Sequence, residues 1–141
     1  MKFTAIVPWK ANSRRVPRKN FRLLAGKPLF VHIFETLLEV PLLDQIICWS
    51  SDEIFKDLLP EGIKFIKRAS YLDDNEIKAK VLFTEAAKQI DTDYFVLTHA
   101  TTPFIKATSI SKGINAILDG FDSAFAVKEV QNYCWYNENT L

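Results

Sequence analysis

Strand-length apolar runs, separated by stretches of helical periodicity, constrain this chain most. Residues 3–7, 45–49, 63–66, 94–97 and 123–130 read as strands, and their runs are apolar rather than alternating. Between the first two, residues 29–40 place Phe30, Ile33, Phe34, Leu37 and Leu38 on one helical face, and Pro41 ends the helix. Ser50, Ser51 and Asp52 are suited to cap a short helix over residues 53–59, and residues 60–62, Pro-Glu-Gly, make a turn. A polar segment, residues 70–76, leads into a helix reaching about Ile90, with Leu82, Ala86 and Ile90 on one side. A further helix over residues 108–118 carries Ile110, Ile114, Ile117 and Leu118. Strands that lack polar alternation are buried on both faces. The expected architecture is therefore α/β: a mostly parallel sheet in a three-layer α/β/α arrangement, one domain spanning residues 1–141.

Seven cationic side chains crowd the connection between the first strand and the first helix: Lys10, Arg14, Arg15, Arg18, Lys19, Arg22 and Lys27. In an open α/β sheet, ligands bind at the carboxyl ends of the strands, which is where this loop lies. The ligand that matches such a loop is a phosphate or polyphosphate, held by Lys and Arg charges and main-chain N–H groups. For Lys10, Arg14, Arg15 and Arg18 the competing reading is a solvated charge run. The loop has neither a G-x-G-x-x-G dinucleotide fingerprint nor a G-x-x-x-x-G-K-[ST] phosphate loop.

Composition narrows the classes further. The 141 residues are 48% hydrophobic, enough for one core, and 25% charged. The net charge of +1 makes the basic loop a local patch on a nearly neutral chain, which argues against nucleic-acid binding. No apolar run has signal-peptide or transmembrane character, so no membrane partner is expected. Cys48 and Cys134 lack metal-type spacing; a disulfide between them stays open, and a reduced protein in the cytoplasm is the simpler expectation. Residues 131–141 fit no further strand or helix.

The loop also resembles the signature of the N-acylneuraminate cytidylyltransferases (CMP–sialic acid synthetases), approximately I-P-A-R-x-G-S-K-x-[IL]-P-x-K-N followed by L-x-G-K-P-L. Pro8, Ser13, Pro17, Lys19, Asn20, Leu24, Gly26, Lys27, Pro28 and Leu29 match at the right spacing. Trp9, Lys10 and Asn12 stand where that family has Ala, Arg and Gly. Downstream, Ser51-Asp52 resembles an S-T-D segment, Arg68 resembles the Arg of an R-P segment, and residues 98–105 lie where the family has L-Q-P-T-S-P-L-R. There His99 replaces Gln and Ile105 replaces Arg, while residues 122–127 resemble a D-S-x-x-S-V strand.

The resemblance implies a Rossmann-like nucleotidyltransferase fold and transfer of CMP from CTP to an acidic 2-keto sugar, a sialic-acid-like nonulosonic acid, with release of pyrophosphate. It implies Lys19 and Lys10 as catalytic cations at the phosphates. It implies Trp9, Ser13, Asn20 and Arg68 at the nucleotide, and His99 and Thr101 at the sugar acid. A loop His is also a common structural hydrogen-bonding group, and Arg68 also reads as a surface cation at a strand end. Mg²⁺ is implied as cofactor, although the family's metal-binding aspartates lie in a half that this chain does not match; Asp52, Asp73 and Asp74 are the acidic stand-ins. The chain is therefore expected to be the N-terminal part of a longer protein or a minimal form, with a homodimer where the second half is present. Exchange of Arg for Lys at Lys10 loses bidentate phosphate geometry. Asn12 puts a side chain where main chain would approach phosphate. Two alternatives stand beside the first reading: a domain that binds a nucleotide or nucleotide sugar without turnover, and a nucleotidyltransferase of the 3-deoxy-octulosonate or alditol phosphate type.

Overall fold

The computed structural model describes residues 1–10, 16–74, 76–129 and 131. Its sheet strands are β1 (Phe3–Trp9), β4 (Gln45–Ser50), β5 (Ile63–Lys67) and β6 (Tyr94–Leu97), in the order β5-β4-β1-β6 and all parallel. The helices are α1 (Leu29–Leu38), α2 (Ala79–Gln89) and α3 (Ala107–Leu118), with short 3-10 turns over Lys19–Phe21, Glu53–Leu58 and Ser70–Asp73. A separate hairpin, β2 (Leu23–Leu24) and β3 (Lys27–Pro28), interrupts the basic loop.

Period two sorts the strand residues. Phe3, Ala5, Val7 and Trp9 face one layer, where they meet Phe30, Ile33, Phe34 and Leu37 of α1 and Ile110 and Ile114 of α3. Ile6, Ile47 and Trp49 face the other, against Leu72, Ala86 and Ile90. Both sheet faces are covered, so the three layers expected from the apolar runs are present. β1 runs two residues further than expected, through Pro8, in register with Trp49 of β4. The Ile6 carbonyl accepts from Thr98 N–H at 3.1 Å, so Pro8, two residues on, faces the same side. There β6 has already ended, and a residue without an N–H breaks no ladder.

The hairpin turn is Ala25-Gly26, with φ of +49° and +81°. Left-handed conformations at both central residues are what a two-residue type I′ connection requires. His32 donates from Nε2 to the Leu24 carbonyl at 2.8 Å, and Leu29 N–H donates to the Arg22 carbonyl at 2.9 Å. These bonds seat the hairpin on the start of α1.

One expected strand is absent. Residues 121–129 form no strand, and Phe125 and Val127 are 84% and 90% exposed. An apolar run becomes a strand only where a neighbour pairs its main chain, and none of these residues pairs with the open edge of β6. Val130, the last residue of that expected strand, and residues 132–141, with Cys134, lie outside the described residues. Among the described residues no helix is long and apolar enough to cross a membrane.

Candidate functional site

Because the four sheet strands are parallel, their carboxyl ends open on one edge. Lys10 leaves β1 there, Ser51 and Asp52 leave β4, Arg68 leaves β5, and Thr98 and His99 leave β6. Loop contacts tie these ends together. Lys10 Nζ donates to the Asp73 carbonyl at 2.7 Å. Arg68 Nη2 donates to Asp73 Oδ1 at 2.6 Å, and the Ser51 hydroxyl donates to Asp73 Oδ2. The Arg68 guanidinium also lies over the Trp49 ring, 5.1 Å from its centroid. Arg68 is buried, so its role as a solvated surface cation is ruled out. Asp52 caps the turn over Glu53–Leu58 by accepting from Ile54 N–H at 3.1 Å, the role its position after β4 suggested.

The basic loop is anchored from beneath. Lys19 and Asn20 open the 3-10 turn whose third residue, Phe21, stacks on Phe55 at 5.1 Å. Asn20 is buried, and its Nδ2 donates to the Lys10 carbonyl at 3.4 Å, which places this turn beside the end of β1. Lys19 is half-buried, and its ammonium makes no hydrogen bond or ion pair among the described residues. Arg18 lies 5.2 Å from the Phe21 ring centroid, and Lys27 pairs with Glu35 at 2.7 Å. Ser13, Asn12, Arg14 and Arg15 lie outside the described residues.

The structure corrects one assignment. The Trp9 side chain is turned into the core, edge-on to Phe30 at 4.8 Å and 4.0 Å from Phe55, rather than toward a nucleotide. Its indole N–H donates to Cys48 Sγ at 2.9 Å. The cause is strand phase: Trp9 shares the odd positions of β1 with Phe3, Ala5 and Val7. Burial pushes the Cys48 thiol up to about 12, against smaller opposing effects of the Trp9 hydrogen bond and of Arg68.

At the end of β6, His99 and Thr101 are both exposed. The His99 carbonyl accepts from Thr102 N–H at 3.1 Å and from the Thr102 hydroxyl at 2.8 Å, which closes the turn. Desolvation of the ring at this turn holds the His99 pKa below its ordinary value, which favours the neutral imidazole with one donor and one acceptor. Ile105, in the place of an expected Arg, packs against the core beneath α3.

Three buried side-chain polar atoms lack a partner among the described residues: Asn20 Oδ1, Arg68 Nε and Thr98 Oγ1. All three lie beside the carboxyl ends of β1, β5 and β6. An unmade bond on a buried polar atom costs about 1–3 kcal/mol, and all three fall at one edge of the sheet. The acidic groups at the same edge are already engaged. Both Asp73 carboxylate oxygens are engaged, Asp52 is a cap, and no group of three or more His, Cys, Asp or Glu among the described residues is placed to hold one. Sequence reading missed Asp73 as the meeting point of these contacts.

Comparison with known proteins agrees with this geometry. A cytidylyltransferase family model matches residues 4–139. The chain is 30% identical over 89 residues to a pseudaminic acid cytidylyltransferase of Campylobacter jejuni, covering 63% of this chain and 37% of that protein. It is 26% identical over 118 residues to an N-acylneuraminate cytidylyltransferase of Streptococcus agalactiae, covering 81% of this chain and 29% of that one. The chain thus spans about a third of the length of these relatives. A solved CMP:2-keto-3-deoxy-manno-octonic acid synthetase, in complex with CTP, superimposes with a TM-score of 0.70 at 17% identity, over 85% of this chain and 48% of that one, and so shares the fold. A parallel sheet with its polar groups gathered at the strand ends, matched from residue 4 to residue 139, places this chain in the cytidylyltransferase family.

Proposed function

We propose that this chain is the nucleotide-binding part of an enzyme that transfers CMP from CTP to an acidic 2-keto sugar of the nonulosonic type. One observation carries the reading: the cations Lys10, Lys19 and Arg68 gather around the strand ends of a cytidylyltransferase fold, beside the buried Asn20 Oδ1 and Arg68 Nε, which lack a partner among the described residues. In the reaction, the anomeric hydroxyl oxygen of the sugar acid bonds to the α-phosphorus of CTP. The bond from that phosphorus to the bridging oxygen breaks, pyrophosphate leaves, and the hydroxyl proton passes to solvent. The task for the protein is to offset the negative charge gathering on the departing pyrophosphate. Lys19, whose ammonium is not engaged by any described residue, and Lys10 are the groups we assign to that task. Arg68, held against Trp49, is assigned to the nucleotide, with Asn20 and Ser13 as its hydrogen-bonding partners.

His99 and Thr101 are assigned to the sugar acid. A neutral imidazole at an exposed turn is suited to accept from a hydroxyl or donate to a carboxylate. The relatives named above act on pseudaminic acid and on N-acylneuraminate, which supports a nonulosonic substrate for this chain, while the fold is shared with a synthetase named for a 3-deoxy-octulosonate sugar. Mg²⁺ enters the proposal with CTP, whose phosphates would supply most of its ligands; among the described residues no group of three or more His, Cys, Asp or Glu is placed to hold it. We further assign the protein to the cytoplasm, where CTP is made.

Pyrophosphate release from CTP and Mg²⁺ is the test, run against pseudaminic, legionaminic, N-acetylneuraminic and 3-deoxy-octulosonic acids. Turnover with a nonulosonic acid supports the proposal. Preference for the octulosonic acid supports the related enzyme. Tight CTP binding with no turnover on any acid supports a binding domain, a reading that the lack of a carboxylate cluster among the described residues favours.

A further inference from the structure

We infer that Asp73 is a positioning residue, one that locks Lys10 and Arg68 into a fixed relation so that both act on a single nucleotide; the inference rests on the CTP-binding reading. Asp73 gathers one donor from the end of each of three neighbouring strands. Its main-chain carbonyl takes Lys10 Nζ, one residue past β1, at 2.7 Å. Its Oδ2 takes the hydroxyl of Ser51, one residue past β4. Its Oδ1 takes Nη2 of Arg68, one residue past β5, at 2.6 Å.

Asp73 is itself held. It closes the 3-10 turn over Ser70–Asp73, and its neighbour Leu72 is 3% exposed against Ile6, Ile47 and Trp49. Asp74 N–H donates to the Tyr71 carbonyl at 3.2 Å, which fixes the exit of the turn. The anchor therefore belongs to the core, while the Asp73 side chain, 27% exposed, reaches the site.

Arg68 shows what the anchor does. A guanidinium on Trp49 alone would be free to slide across the ring face. Asp73 fixes its Nη2 end, and the buried Nε is left without a partner. A donor that is immobilised, dehydrated and unpaired is preorganised for an acceptor that arrives later. Because the same residue holds Lys10, displacement of the Asp73 turn would move the Arg68 and Lys10 contacts together. The two interactions are then coupled through one side chain and one carbonyl, and their mutational losses should not add.

The test is isothermal titration of CTP into the wild-type chain, Asp73→Asn, Arg68→Met and the double variant. Titration separates affinity from stoichiometry: a purely structural role for Asp73 lowers the fraction of competent protein, whereas a positioning role raises Kd at full stoichiometry. We expect Asp73→Asn to raise Kd by about tenfold or more with stoichiometry unchanged. We expect the double variant to bind within about twofold of Arg68→Met alone. A wild-type Kd in Asp73→Asn, a lowered stoichiometry at unchanged Kd, or a double loss equal to the product of the single losses would each overturn the inference. If Asp73→Asn does not fold, Ser51→Ala decides, since it removes one hydroxyl from the same carboxylate: a rise of about threefold or more supports the inference and a wild-type Kd overturns it. Failure of the wild-type chain to bind CTP would instead remove the reading on which the inference rests.

Discussion

Replacing Arg68 by Met separates what that residue does for the fold from what it does for the site. Stripping the partner from a fully buried ion costs about 3–5 kcal/mol, because a charge is left uncompensated. Asp73 is a milder case: its side chain is 27% exposed and keeps the Ser51 hydroxyl. Loss of the stack on Trp49 adds about 1 kcal/mol. Against these, the variant no longer buries a guanidinium with an unpaired Nε, an arrangement costing about 1–3 kcal/mol, and Met fills a similar volume against the ring. The expected net destabilisation is about 1–2 kcal/mol, read as a shift of the urea midpoint at constant slope. CTP affinity should fall by about 1.5–3 kcal/mol, the worth of a hydrogen bond from a charged donor, or about 10-fold to 150-fold in Kd. A stability loss above about 3 kcal/mol with unchanged CTP binding would refute the reasoning and make Arg68 a fold element.

Lys19→Ala should weaken CTP binding by about 1–3 kcal/mol while leaving the melting temperature in place, because the ammonium has no partner among the described residues; an unchanged Kd in titration counts against Lys19 as a phosphate ligand. Ala25→Asn should raise stability by about 0.5–1 kcal/mol, since Asn tolerates the left-handed φ of +49° at a type I′ position better than Ala; a lowered urea midpoint would show the turn to be misassigned. Cys48 should resist alkylation at pH 8 in a Cys134→Ser chain until urea unfolds it, and prompt labelling of folded protein would contradict its burial. Its raised pKa also sets a sign. The folded state holds the thiol proton more tightly than the unfolded state, so the stability it contributes is intact below the unfolded pKa of about 8.5 and is lost as pH rises toward about 12. Urea midpoints between pH 8 and 11 should therefore fall for wild type and fall less for Cys48→Ala.

Periodicity was enough for the sheet and the three long helices because burial on both faces leaves a strong imprint: Phe30, Ile33, Phe34 and Leu37 sit where one helical stripe requires. It misled at residues 123–129, where composition resembles a strand but pairing decides, and pairing is not a local property. Trp9 was within reach of the sequence. Carrying the odd phase of residues 3, 5 and 7 through Pro8 puts Trp9 in the core, and only the assumption that the strand stopped at residue 7 hid this. Asp73 was not within reach. Residues 10, 51, 68 and 73 have no spacing relation, and their convergence depends on the parallel order of β1, β4 and β5.

That convergence bears on how the described parts of so basic a loop are held against the sheet. Like charges held near one another repel, and a loop with seven of them would spread into solvent if nothing opposed it. Two devices act against this at different points. At the strand end, Lys10 is bound to the Asp73 carbonyl. Further along, Phe21 inserts beneath Lys19 and Asn20 and stacks on Phe55, whose ring is fully buried against Trp9 and Phe30. Each such aromatic pair contributes about 0.5–1.5 kcal/mol beyond its buried area. The aromatic cluster and the Asp73 turn come from opposite faces of the sheet, so the loop is held from both sides while its Lys19 ammonium is left unengaged by the described residues. Trp9 thus serves the site indirectly: as part of the platform on which the cations are presented, it acts through Phe55 and Phe21 rather than through contact with a ligand.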